Sequence, residues 1–174
     1  MREMSRQIPK DHPIRKVFHT LTDISCDQVG VKDRDIIGYI SDLLVEFVHI
    51  DNLYKLRNAQ GKRLEYIIDM LMEIEQRGPL GEREARKHIG DYSLFIVGLF
   101  PESLQRRRRA LSPRYYIDQG KEAYLIVAEI EGYGPTAALF RKLSDRFEDC
   151  VWALNLEREY LRDPFYQYLL RQFA

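Results

Sequence analysis

Between Asp33 and Val48 the apolar residues Ile36, Ile37, Ile40, Leu43, Leu44, Phe47 and Val48 recur at steps of three and four. That spacing keeps them on one side of a helix of 3.6 residues per turn, whereas a half-buried strand alternates at two. Helical spacing continues along nearly the whole chain. No segment sustains period two, and no Asn-Gly or Asp-Gly hairpin signal interrupts it. The expectation is therefore an all-α fold, a single-domain bundle of six or seven amphipathic helices with short connections.

Local signals divide this pattern into helices. The first is expected to start at Asp11 or His12, with Pro13 at its first position and Ile14, Val17, Phe18, Leu21 and Ile24 as its apolar stripe. Gly30 stops it, and Asp33 opens the second. The third carries Leu64, Ile67, Ile68, Leu71 and Met72 and ends in the Arg77–Gly81 stretch. A fourth spans about 82–100, and Pro101 closes it. Ser112-Pro113 opens a fifth, which runs to about Gly132. A sixth begins at Gly134-Pro135 and continues with Leu139, Leu143, Phe147, Cys150, Val151 and Leu154 on one face. A short seventh follows Asp163-Pro164. Residues 1–10 are expected to form a flexible basic arm, with the bundle in 11–174.

Composition narrows the function. Lys plus Arg equals Asp plus Glu at 27 each in 174 residues, so the formal net charge is zero. A domain that holds nucleic acid by charge is usually basic, which places binding through a local patch below other readings. Cys26 and Cys150 form no C-x-x-C pair, and a reduced, buried thiol is the expectation for Cys150. The polar N-terminal stretch is unlike a secretory signal, and the apolar run Tyr92–Phe100 is about half of the ~20 residues needed to cross a bilayer. The expected location is the cytoplasm.

Catalytic motifs are missing. There is no G-x-S-x-G elbow, no phosphate loop, no strand-led G-x-G-x-x-G and no H-E-x-x-H. Glu46 and His49 have E-x-x-H spacing, but a carboxylate-bridged metal site needs a second such motif and further glutamates. No catalytic residue, metal site or cofactor is assigned.

Two stretches stand out as candidate binding sites. In the fourth helix His88 shares a face with Tyr92, Phe95 and Leu99, and a histidine there could act as a ligand or titrate near neutrality. Gly90 and Gly98 lie eight residues apart on one face. Two glycines in one helix point to close approach, by a neighbouring helix or by a flat ligand such as haem. A ligand site between this helix and the tyrosine-rich fifth helix would comprise His88, Gly90, Asp91, Tyr92, Gly98 and Tyr124. Asp91 is expected to form a surface ion pair with Lys87, one turn earlier. The second stretch is Arg106, Arg107, Arg108 and Arg109, joined by Arg114. Arginine forks suit phosphate, carboxylate or an acidic protein face. With late tyrosines at 115, 116, 124, 133, 160, 166 and 168, the leading reading is a non-catalytic adaptor or regulatory module that binds a protein partner or itself. A ligand-binding or redox bundle and a nucleic-acid-binding protein are the alternatives.

Overall fold

The computed structural model describes residues 8–79, 81–105, 112–164, 167, 168 and 171. Among these there is no strand, and nine helices account for the fold: α1 (Pro13–Gln28), α2 (Arg34–Phe47), α3 (Ile50–Leu53), α4 (Ile67–Arg77), α5 (Glu82–Leu99), α6 (Pro101–Gln105), α7 (Pro113–Glu131), α8 (Pro135–Asp145) and α9 (Phe147–Leu161). The all-α expectation holds, but the helix count is larger than six or seven. Two short helices, α3 and α6, carry too few residues to show a period. The expected sixth helix is two. It breaks at Arg146, which leaves helical geometry at φ −102°, ψ 17°. Neither Gly nor Pro marks that point. Instead Arg146 binds Asp149 at 2.7 Å and the Gly30 carbonyl at 3.3 Å, so a contact with the end of α1 holds the bend. The expected arm falls largely on residues outside those described. The expected seventh helix does so in part.

Helix starts follow their caps. The Asp33 carboxylate accepts from the N–H groups of Asp35 and Ile36, the His12 ring accepts from Ile14, and the Ser112 hydroxyl accepts from Tyr115. Gly30, Gly78 and Gly132 take positive φ just beyond helix ends, where a side chain would be strained.

The bundle is organised around α5. Every residue from His88 to Leu99 is buried, so this helix is enclosed on all sides rather than along one stripe. α7 and α9 pack closely on it, and α4 and α6 add smaller contacts. α8 packs on α7, while α1 joins α2 to α9. Two stripes are rotated from their expected positions. In α1 the inward face is Ile14, Phe18, Leu21, Thr22, Ser25 and Cys26, and Ile24 turns out to 42% exposure. In α4 the inward face is Ile67, Met70, Glu73 and Ile74, while Ile68 and Met72 face solvent. Between α3 and α4 the chain makes a tight reversal, with one antiparallel bridge from Arg57 to Arg63 and Gly61 at φ 77°.

Candidate functional site

Because α5 is enclosed from His88 onward, the polar residues of that part, His88, Asp91 and Ser93, lie in the core. Asp91 is fully buried. Its Oδ1 accepts the Tyr39 hydroxyl of α2 at 2.5 Å and the Tyr124 hydroxyl of α7 at 2.7 Å, and its Oδ2 accepts Lys87 Nζ at 2.9 Å. The expected Lys87–Asp91 pair therefore exists, but its carboxylate lies in the core and only its lysine reaches the surface. The sequence pattern gives α5 one apolar face, whereas its neighbours enclose it. Three helices meet at this carboxylate, and each contributes a donor, so the buried charge is compensated.

The electrostatics keep the cluster in one state. Burial opposes the charge on Lys87, but Asp91 beside it prevails and raises the lysine above its ordinary range. Burial, reinforced by Asp91, lifts both Tyr39 and Tyr124 well above the usual phenol range. Near neutral pH the lysine is thus an ammonium and both phenols are donors. Lys87 also lies 5.6 Å from the centre of the Tyr39 ring, and Tyr39 meets Tyr124 edge-on. The arrangement has the chemistry of a fixed joint between α2, α5 and α7.

His88 differs. It is 1% exposed, and among the described residues neither ring nitrogen has a partner in good hydrogen-bond geometry, although the Leu53 backbone lies close enough to favour the charged form slightly. Its ring lies between Phe47 and Tyr92, with centroids 6.2 and 6.0 Å away. Burial pushes its pKa down to about 4, and Lys55 acts in the same direction. It is a neutral imidazole at physiological pH. Tyr92, stacked beside it, donates to the Glu65 carbonyl at 2.8 Å.

The two glycines of the expected ligand site are explained by protein contacts. A Cβ at Gly90 would run into the Tyr124 ring, and one at Gly98 would lie 2.6 Å from Leu154. The room over both is thus taken by side chains of α7 and α9. A third close approach was missed: Gly120 of α7 lies under the Phe147 ring. Of the six expected site residues, Gly90, Asp91 and Tyr124 come together directly. His88 and Tyr92 form an adjacent aromatic group, and Gly98 lies two turns further along α5 under a different helix.

Arg106, Arg107, Arg108 and Arg109 lie outside the described residues. Arg114 is described, and it pairs with Asp118 at 3.0 Å and Glu148 at 3.4 Å. Sequence reading also missed Tyr39, Thr22 and Glu157. Glu157 had a legible signal, since it stands three residues after Leu154 and seven after Cys150 on the apolar face of α9. Both cysteines are free and buried. Burial, with Glu157 nearby, pushes the Cys26 thiol up to about 12, and burial raises Cys150 as well.

No family model, curated protein or solved structure matches the chain.

On the surface, a cleft of about 930 Å³ opens between the 57–63 reversal and α4. Arg57, Lys62 and Arg63 line its reversal side. Asp69, Met72 and Glu73 line its helix side. Arg77 ties the two walls together by binding Glu73 at 2.9 Å and the Arg57 carbonyl at 2.5 Å. Ile68 and Met72, one turn apart on α4, are 49% and 54% exposed. Among the described residues, no group of three or more His, Cys, Asp or Glu is placed to hold a metal ion, and no helix is long and apolar enough to cross a membrane.

Proposed function

We propose that this chain is a non-catalytic helical interaction module that self-associates through the face of α4 and the 57–63 reversal. One observation carries the reading: Ile68 and Met72, members of the expected core stripe, are turned outward beside the cleft. Exposed apolar residues that form a patch with a polar rim are a property of contact surfaces.

The occupant is a second copy of the same face. A two-fold interface must be self-complementary, with the same patch meeting itself. This cleft offers cations on one wall and carboxylates on the other, so a two-fold copy can set Arg57, Lys62 and Arg63 against Asp69 of its mate while the Ile68 and Met72 patches meet. The zero formal net charge removes long-range repulsion between copies. Free, buried thiols suit a reducing compartment, which supports a cytoplasmic place of work.

Sedimentation velocity over a concentration series tests this. The wild type should form a dimer at tens of micromolar, and Ile68→Lys with Met72→Lys should sediment as a monomer with its melting temperature nearly unchanged, both side chains being exposed. A monomeric wild type, or a double variant that sediments like it, overturns the reading.

A further inference from the structure

Glu157 of α9 is fully buried against α1. Both carboxyl oxygens lie 3.0 Å from one group, the Thr22 hydroxyl. A single hydroxyl can donate only one proton, so a carboxylate here would keep most of its lone pairs unmet. Among the described residues no ion pair reaches it: the next residue, Arg158, turns instead to Glu102 at 2.8 Å. On α1 the nearby titratable groups are the Cys26 thiol and Asp23, and Asp23 is held by Arg34 at 2.8 Å. From α5, which also packs on α9, the stretch Tyr92–Leu99 contributes no group that ionises near neutrality. Asp91 precedes that stretch and is committed to Lys87, Tyr39 and Tyr124.

A carboxyl in these surroundings is stable as the neutral acid. Its anion, shut off from bulk solvent, is relieved by taking up a proton or by opening the seam to solvent. α1 is built to be the part that moves. Among the described residues its main contacts are with α2 and α9, whereas α9 is also held by α5. We propose that the α1–α9 seam is a proton-controlled latch. With Glu157 protonated, α1 is docked. When the proton passes to solvent, α1 lifts from α9 and uncovers Glu157, Thr22 and Cys26. The threshold suits mildly alkaline conditions, since burial raises Glu157 to about 8 against a small opposing effect of the Thr22 hydrogen bond.

Amide exchange and thiol alkylation read the latch from both sides. Wild type and Glu157→Gln are compared at pH 6, 7, 8 and 9, each pair at the same pH so that intrinsic chemistry cancels. The ratio of wild-type to Glu157→Gln rates, for exchange of amides 14–28 and for labelling of Cys26 by iodoacetamide, should rise at least tenfold from pH 6 to pH 8 and level off above it, because an uncovered carboxyl is ionised throughout this range while the docked one keeps its proton until about pH 8. A ratio that does not change with pH overturns the proposal. Should Glu157→Gln fail to fold, the wild type alone decides. Amides of α1 that become at least tenfold less protected than those of α5 between pH 7 and 9 show a local opening. Loss of protection in step across both helices shows global unfolding and overturns it.

Discussion

His88 and Asp91 stand three residues apart on one helix and meet opposite conditions. Asp91 is surrounded by donors from three helices. His88 lies between aromatic rings, where burial outweighs the nearby Leu53 backbone and holds it neutral. That difference has a pH signature. The folded pKa of His88 lies near 4, against 6.5 for an ordinary histidine. Below pH 6.5 the unfolded chain binds a proton that the folded chain refuses, so stability falls as pH drops from 6.5 toward 4 and then levels off. The shift corresponds to about 2–3 kcal/mol lost between pH 7 and 4.5. His88→Leu is expected to remove this slope, which urea denaturation at pH 7 and pH 4.5 would measure. An equal loss in both proteins would mean that His88 is not the titrating group. In sequence the two residues were distinguishable only as types. Which one receives partners depends on Tyr39 and Tyr124, 52 and 33 positions away.

At the scale of elements, the glycines separate local propensity from packing. Gly90 and Gly38 both interrupt helices, and alanine is favoured over glycine in a helix interior by about 1 kcal/mol. Among the described residues nothing lies within 4 Å of where a Cβ at Gly38 in α2 would sit, so Gly38→Ala is expected to stabilise the protein by up to about 1 kcal/mol. At Gly90 the Tyr124 ring occupies that place, and Tyr124 cannot withdraw without breaking its bond to Asp91. Gly90→Ala should therefore destabilise by about 1–3 kcal/mol, the usual range for overpacking. Melting temperatures of the two variants should shift in opposite directions, and a shift of the same sign would refute the packing explanation. α4 shows the complementary effect. Its apolar positions follow helical spacing, yet the helix touches the bundle mainly through α5, and one neighbour does not cover Ile68 and Met72.

For the whole molecule, enclosure ranks the helices. α5 packs on α7, α9, α4 and α6, so it can open only when the bundle does. Its central amides, from Tyr92 to Ile96, are expected to exchange by global unfolding and to be the slowest in the protein. Those of α4, which has one main neighbour, should exchange at least tenfold faster at pH 7. Native-state hydrogen exchange would show the order, and equal protection of α4 and α5 would contradict this hierarchy.

Helical character, the caps at His12, Asp33 and Ser112, and the glycine stops were all settled by residues within a turn or two of each other. Spacing at 3.6 residues and side-chain-to-backbone capping are local interactions, so the sequence by itself determined them. It also showed that something lies close to Gly90 and Gly98. The tertiary structure decided the rest: that Asp91 is interior, that Tyr124 and Leu154 fill the glycine faces, that Ile24, Ile68 and Met72 turn outward, and that Arg146 breaks the last long stripe. Each of these depends on which distant helix lies opposite. A periodic stripe states that a helix has an apolar side, but the number of neighbours sets how much of that helix is covered. In α5 neighbours that include α2, α7 and α9 bury every side from His88 onward, aspartate included, and in α4 one main neighbour leaves part of the stripe in water.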